Sequence, residues 1–142
     1  MIRKASAEWK GNLKEGQGTV STESGALKDL RYSFTTRFEN AAGTNPEELI
    51  GAAHASCFAM ALSGKLGGAN MTAESIQVTA NVSLDKLDAG WTVTAVHLDL
   101  TAKIPNADPT AFQKAAEDAK AGCPISRLLA AAKITLDAKL EG

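Results

Sequence analysis

The segment from Asn45 to Leu66 constrains the fold of this chain more than any other part of its sequence. Asn45 is a good N-cap, Pro46 suits the first helical position, and the two glutamates that follow are favourable at the positive end of the helix dipole. Small and apolar residues then continue until Gly67, where a glycine pair ends the pattern. Such a segment of about 20 residues at 1.5 Å each gives roughly 30 Å of helix, enough to run through the middle of a small domain.

A single domain is expected to contain this helix. The 142 residues suffice for one hydrophobic core and are too few for two domains of ordinary size, so we predict one domain spanning residues 1–142. An apolar fraction of 44% and a charged fraction of 22% are typical of a soluble globular protein. The net charge of −1 and the aromatic fraction of 5% leave neither a basic patch nor a base-stacking surface, which predicts no nucleic-acid partner.

Neither the N-terminus nor the apolar stretch predicts a membrane segment. The N-terminal residues enter polar sequence at once and lack the apolar core of a signal peptide. The stretch from Leu49 to Leu66 is interrupted by polar residues such as His54 and Lys65 and is rich in glycine and alanine. That composition favours a tightly packed buried helix over a membrane span. We therefore expect a cytoplasmic protein with no membrane partner.

Alternation of apolar and polar residues predicts the strands. The predicted strands are residues 3–10, 17–22, 31–38, 75–86, 91–104 and 133–140. Pro109 opens a second helix that ends at Gly122, and Cys123 with Pro124 opens a third. The predicted order, β-β-β-α-β-β-α-α-β, is an α+β arrangement in which helices cover sheet faces.

The chain has two cysteines, Cys57 and Cys123, separated by 66 positions. They form no disulfide scaffold, and there is neither a CxxC motif nor a cluster of histidines and cysteines at zinc spacing. The second histidine, His97, lies in an alternating stretch far from the first. The sequence therefore predicts no metal site.

Cys57 is open to two interpretations. A free cysteine inside an apolar helix is most often a small core residue. Against that, His54 lies three residues earlier on the same helix face, and the surrounding alanines, serine and glycine leave room near the thiol. Glu47, ten residues earlier, adds a carboxylate in the first turn of the helix.

Cys123 precedes Pro124 at a helix start, where unpaired backbone N–H groups stabilise a thiolate. From local electrostatics it is more easily ionised than Cys57, although a plain capping or core role explains its position equally well. Two thiols without metal partners suggest a redox pair, in which one attacks and the other resolves the product into a disulfide. The residues alone do not decide which is which.

A buried Cys57 thiol would have a raised pKa unless a cation stabilises its thiolate. His54 and Arg37 are the two candidates for that cation. Arg37 is the better one, because a guanidinium stays charged and can bridge a thiolate and a carboxylate such as Glu47. The simpler interpretation of Arg37 is a solvated charge on a strand face.

These residues resemble a known family. The stretches TNPEEL at residues 44–49, AAHASC at residues 52–57 and AGCPIS at residues 121–126 are similar to those of the OsmC/Ohr family. Residues 18–25, 36–39 and 82–86 resemble its OsmC branch as well, so the likeness covers nearly the whole chain. A histidine at 54, and an arginine at 37 instead of near the N-terminus, favour the OsmC branch over the Ohr branch.

The resemblance implies a thiol-dependent peroxidase that reduces organic hydroperoxides to alcohols, in preference to hydrogen peroxide. Carried over by position, Cys57 is the peroxidatic cysteine, Cys123 is the resolving cysteine, and Arg37 with Glu47 activates the thiolate. Glu48 is adjacent to Glu47, but the spacing of ten to the cysteine selects Glu47. Neither a cofactor nor a metal is implied.

The same resemblance implies a fold and partners. The family fold has antiparallel sheets around long central helices in an intertwined homodimer, with each active site at the subunit interface. A dithiol, such as a lipoyl protein, is implied as the reductant, and a role in osmotic and oxidative stress is expected.

Three alternative functions remain. A redox sensor or ligand-binding protein would use the same cysteine pair as a switch and react about once. A cysteine hydrolase would use Cys57 with His54 as its base, but the sequence shows no obvious oxyanion hole and leaves Cys123 without a role. A purely structural protein would leave both cysteine motifs unexplained.

Overall fold

The computed structural model describes residues 1–141, which cluster into two compact units, Met1–Leu49 and the described residues from Ile50 onward. The elements in chain order are β1 Ala5–Lys10, β2 Gln17–Thr22, β3 Leu30–Tyr32, α1 Phe34–Phe38, α2 Pro46–Gly68, β4 Ser75–Leu87, β5 Gly90–Lys103, α3 Pro109–Gly122, α4 Pro124–Leu128 and β6 Lys133–Glu141. The predicted α+β class is confirmed, and α1 is the one element that the sequence did not predict.

The first unit contains a three-stranded antiparallel sheet in the order β1-β2-β3. A tight turn joins β1 to β2: Asn12 accepts the N–H of Glu15 on its side chain at 2.8 Å and the N–H of Gly16 on its carbonyl at 2.9 Å. A Cβ on Gly16 would lie 2.3 Å from that carbonyl oxygen. Only glycine therefore fits this turn.

The prediction of a continuous strand through Phe38 is wrong. The strand ends at Tyr32, and Ser33 begins helix α1 with a capping box. The Ser33 hydroxyl accepts the N–H of Thr36 at 3.2 Å, and the Thr36 hydroxyl accepts the N–H of Ser33 at 2.8 Å. Phe34 and Phe38 then stack at i,i+4 with ring centroids 4.9 Å apart. Local capping outweighs the apolar alternation here.

The second unit contains the sheet β4-β5-β6. Strands β4 and β5 pair antiparallel, with an irregularity in register at Ser83 and Leu84. Strand β6 pairs parallel to β5, from Ala95 opposite Lys133 to Lys103 opposite Glu141. The expectation of antiparallel sheets is therefore wrong for this edge. Helices α3 and α4 connect β5 to β6, and a crossover of this kind returns the chain in the parallel direction.

Helix α2 buries one face in the second unit. The buried residues recur every three or four positions and are Gly51, His54, Phe58, Leu62 and Leu66. A Cβ on Gly51 would lie 3.3 Å from the carbonyl oxygen of Ala80 in β4, so the helix backbone approaches the sheet closely. The α2 residues join buried side chains of β5 and α3 in one core cluster, which includes Leu98, Phe112 and Cys123.

The remaining face of α2 is exposed within the chain. It carries small residues such as Ala53 and Ser56, and Met60 is 78% exposed. The prediction of a buried helix is thus right for one face only. By length and composition α2 could cross a membrane, since its 23 residues have a most apolar stretch with a mean hydropathy of 1.3. Core helices of soluble proteins can have the same length and composition.

Candidate active site

The two free thiols of the chain lie together in the second unit. Cys57 is half-buried on α2, and Cys123 is fully buried between α3 and α4. Cys123 caps both helices: its N–H donates to the carbonyl of Ala119 at 3.0 Å, and its Sγ accepts the N–H of Ser126 at 3.4 Å. The thiols of Cys57 and Cys123 lie near enough for each to influence the ionisation of the other. The second unit thus brings the two predicted redox cysteines close together.

The surroundings shift the pKa values of the two thiols in opposite directions. Burial raises the pKa of Cys57, and the neighbouring Cys123 raises it further, although the N–H of Ile125 acts against this. Burial also opposes ionisation of Cys123, but hydrogen bonds from Ser126, Cys57 and Ile125 outweigh it and lower its pKa. The sequence-based expectation that Cys123 ionises more easily than Cys57 agrees with this environment.

A buried hydrogen bond links the two elements that carry the cysteines. His54 Nε2 lies 2.7 Å from the hydroxyl oxygen of Ser126, and both residues are buried. His54 Nδ1 is buried as well and has no hydrogen-bond partner among the described residues. Burial lowers the pKa of His54, so the ring is neutral near pH 7.

Arg37 and Glu47 form an ion pair in the first unit. Arg37 lies in the last turn of α1 and Glu47 in the first turn of α2. The Nη2 atom of Arg37 lies 2.6 Å from Oε1 of Glu47, and Nε lies 3.2 Å from each carboxylate oxygen. The side chains are 36% and 12% exposed. The side-chain amide of Asn45 donates to the carbonyl of Thr36 at 3.2 Å, which ties the start of α2 to α1.

An apolar cavity of about 230 Å³ adjoins Arg37. Its apolar lining comes from β1, the following turn, β3, α1 and the start of α2, and consists of Trp9, Leu13, Tyr32, Phe34, Phe38 and Pro46. The guanidinium carbon of Arg37 lies 5.3 Å from the centre of the Phe38 ring. The charged guanidinium of Arg37 therefore lies at the edge of a cavity suited to an apolar group.

The four predicted site residues thus occur as two pairs, Cys57 near Cys123 and Arg37 in contact with Glu47. Sequence reasoning left the role of His54 open and missed Ser126 entirely. The available signal for Ser126 was its position three residues after Cys123, where an N-cap side chain meets the backbone N–H of the helix. Its contact with His54, 72 positions away, left no local trace.

One group of side chains has the spacing of a metal site. Ligand atoms of His97, Asp99 and Asp137 lie within 4.8 Å of one another on an exposed part of the second sheet. His97 contacts Thr135 through Nδ1 and lies 3.0 Å from Asp137 through Nε2, and Asn81 donates to Asp99 at 2.8 Å. The sequence signal was the i,i+2 placement of His97 and Asp99 on one strand face. The cluster satisfies itself by hydrogen bonding.

Comparisons with known proteins identify the family of this chain. A family model described as OsmC-like protein matches residues 38–139. The chain is 54% identical over 139 residues to Peroxiredoxin OsmC of Escherichia coli strain K12, covering 98% of this chain and 96% of the relative.

Solved structures show the same fold. An OsmC-like protein from Mycoplasma pneumoniae matches with a TM-score of 0.77 at 15% identity, covering 100% of this chain and 99% of the other. The organic hydroperoxide resistance protein OhrB of Bacillus subtilis matches with a TM-score of 0.68 at 22% identity, covering 97% and 98%.

Proposed function

Because this chain belongs to the OsmC-like protein family and is a peroxidase of the oxidoreductase class, we propose that it reduces organic hydroperoxides to alcohols through its two cysteines. The observation that carries the proposal is that the two thiols lie in one core cluster, near enough for each to influence the ionisation of the other. Cys57 is the more exposed of the two and is therefore the thiol that meets the peroxide. Cys123 is fully buried and resolves the product.

The proposed reaction has three steps. The Cys57 thiolate attacks one peroxide oxygen, the O–O bond breaks, and the alkoxide takes a proton and leaves as the alcohol. Cys57 is then a sulfenic acid, and Cys123 condenses with it to give a disulfide and water. An external dithiol, such as a lipoyl protein, reduces the disulfide by exchange.

Arg37 and Glu47 supply the charge that the first step requires. Burial raises the pKa of Cys57, so an adjacent cation is needed to hold its thiolate. Glu47 binds the guanidinium of Arg37 at 2.6 Å and so holds this cation in a fixed position. The apolar cavity beside Arg37 would take the alkyl group of an organic hydroperoxide. Each buried CH₂ adds about 0.8 kcal/mol of preference over hydrogen peroxide.

We propose further that the site is shared between two protomers of an intertwined homodimer. Glu47 and Cys57 are ten residues apart on α2, which places about 15 Å of helix axis between them. The exposed face of α2, with its small residues and Met60, is available for a second copy. Arg37 and Glu47 of one protomer would then act on Cys57 of the partner.

Subunit mixing tests the shared site. Arg37→Gln and Cys57→Ser are each expected to be inactive alone. If they exchange subunits, random mixing makes half of the dimers mixed, each with one intact site of two, so roughly a quarter of the wild-type activity should return. A site contained within one chain would give no recovery, and a monomeric mass in solution would contradict the dimer.

Steady-state turnover tests the activity itself. We expect a small organic hydroperoxide to be consumed faster than hydrogen peroxide when a lipoyl dithiol is the donor, and the Cys57→Ser variant to be inactive. Equal rates for the two peroxides would contradict the substrate preference. Consumption of a single equivalent would indicate a redox switch instead of an enzyme.

We place this activity in the cytoplasm and in the response to osmotic and oxidative stress. Reduced cysteines that alternate with a catalytic disulfide are typical of a reducing compartment.

A further inference from the structure

We propose that His54 and Ser126 form a buried positioning pair, which holds a hydrogen bond on the sulfur of Cys123 and thereby sets the rate at which Cys123 resolves oxidised Cys57. This inference rests on the proposed function, because it concerns the second step of that reaction. Neither residue touches the peroxide in the proposal. Both act through Cys123.

The position of the pair supports this role. His54 precedes Cys57 by three residues on α2, and Ser126 follows Cys123 by three residues at the start of α4. The 2.7 Å contact between His54 Nε2 and the Ser126 hydroxyl therefore joins the two elements that carry the thiols. Both side chains are buried, so water does not compete for this bond.

The available hydrogen-bond partners decide which residue donates in the bond between His54 and Ser126. A neutral imidazole carries one N–H, and a buried N–H without an acceptor is costly. Nδ1 has no partner among the described residues, whereas Nε2 faces the oxygen of Ser126. The hydrogen therefore belongs on Nε2, and His54 donates to Ser126.

The Ser126 hydroxyl hydrogen is then free to point at Cys123. Ser126 donates its backbone N–H to the Cys123 sulfur at 3.4 Å, and its nearby hydroxyl also favours the Cys123 thiolate. His54 occupies one lone pair of the hydroxyl oxygen and so holds the rotor in the donating orientation. Without His54 the hydroxyl could turn away from the sulfur.

The resolving step shows what such a bond contributes. The Cys123 thiolate attacks the sulfur of the Cys57 sulfenic acid, the S–S bond forms and the S–O bond breaks. The leaving hydroxide takes the proton that Cys123 released and becomes water. Cys123 is oxidised and the sulfenic sulfur is reduced. A tenfold larger thiolate fraction outweighs the smaller loss of intrinsic nucleophilicity, which leaves a net gain of about threefold before any gain from orientation.

Three variants test the pair. Ser126→Ala removes the hydroxyl and keeps the backbone N–H that caps α4. His54→Leu removes the donor at similar volume, and His54→Gln retains an amide N–H where Nε2 lies. Ser75→Ala is the control, because it removes the same hydroxyl from an exposed position at the start of β4, outside the exposed face of α2.

Oxidation by one equivalent of a small organic hydroperoxide separates the two steps. We expect Cys57 to form its sulfenic acid at the wild-type rate in all four variants. Conversion to the disulfide, followed by trapping and mass spectrometry, should slow by at least about threefold in Ser126→Ala and His54→Leu. It should stay within about twofold of wild type in His54→Gln and Ser75→Ala. Wild-type resolution in Ser126→Ala would overturn the inference even if the His54 variants fail to fold.

A second readout does not depend on peroxide. In a Cys57→Ser background the ultraviolet absorbance of the thiolate reports the ionisation of Cys123 alone. Adding Ser126→Ala should move that titration to higher pH, and adding Ser75→Ala should not. No shift would contradict the pair. A wild-type protein whose Cys57 never forms a sulfenic acid would instead contradict the proposed function and leave this titration as the measure of the pair.

Discussion

The cysteine pair and the Arg37–Glu47 pair are stabilised by different kinds of electrostatic interaction. The thiols lie in the core of the second unit, where neutral hydrogen bonds from Ser126 and Ile125 set their ionisation. The ion pair lies in the first unit with the arginine side chain 36% exposed, and a direct contact between charges holds it. The buried region can favour a thiolate at Cys123 without any cation, but not at Cys57. The proposed peroxidase reaction therefore uses both kinds of region.

The largest expected effect is the loss of the cation. Replacing Arg37 with glutamine should lower steady-state turnover of an organic hydroperoxide about 100-fold, the size of effect expected when a preorganised donor is removed from a site where charge develops. Arg31→Gln is the control, because Arg31 contacts Gln17 on the neighbouring strand. A similar loss of turnover in both variants would mean that the loss of any positive charge lowers the activity, and that the Arg37–Glu47 pair has no special role.

Loss of the resolving thiol should separate the two steps of the reaction. In Cys123→Ser the first equivalent of hydroperoxide should still be consumed, and a trappable sulfenic acid should accumulate at Cys57. Steady-state turnover should fall about tenfold, because the external dithiol must then reduce the sulfenic acid directly. Mass spectrometry of oxidised wild-type protein should show a crosslink within one chain. Crosslinks found only between chains would contradict the resolving role.

The carboxylate of the ion pair should matter less than the arginine. Glu47→Gln leaves a hydrogen-bond acceptor in place but removes the charge that fixes the fork, so turnover should fall about tenfold. Glu48→Gln is an adjacent matched control, since Glu48 is exposed and its backbone N–H, not its side chain, contacts Asn45. Equal losses would show that helix-end charge explains the effect.

The smallest effect concerns stability in acid. Burial lowers the pKa of His54 in the folded protein, so the unfolded chain binds the proton more readily. The free energy of unfolding should therefore fall as the pH drops below about 6.5, by about 1.4 kcal/mol per pH unit at most from this group. Denaturant unfolding at several pH values should show a flatter profile for His54→Gln. Identical profiles would contradict a neutral buried histidine.

Much of the fold could be predicted because its signals are local. Asn45 and Pro46 mark the start of α2 within one residue, and alternation locates the long hairpin of β4 and β5. Two features could not be predicted in this way. The capping box of Ser33 and Thr36 was hidden inside an alternating stretch. The parallel pairing of β6 depends on contacts between distant segments, which no local pattern records.

The site shows the same division. Cys57, Cys123, Arg37 and Glu47 were identified from residue chemistry and from family resemblance, and their roles remain predictions. Ser126 was missed because a serine has no reactive signature of its own. Its partner His54 lies 72 positions away. Residues that act through another side chain become visible only when the packing is known.

The place of Cys123 between two helices has one more consequence. Its N–H caps the end of α3, and its sulfur accepts the backbone N–H of Ser126 at the start of α4. The sulfur that changes oxidation state therefore also takes part in a helix-capping hydrogen bond. A disulfide sulfur accepts a hydrogen bond more weakly than a thiolate. Oxidation should therefore loosen the first turn of α4, and the amide of Ser126 should exchange with solvent faster. The exchange rate of that amide should therefore show whether Cys123 is oxidised.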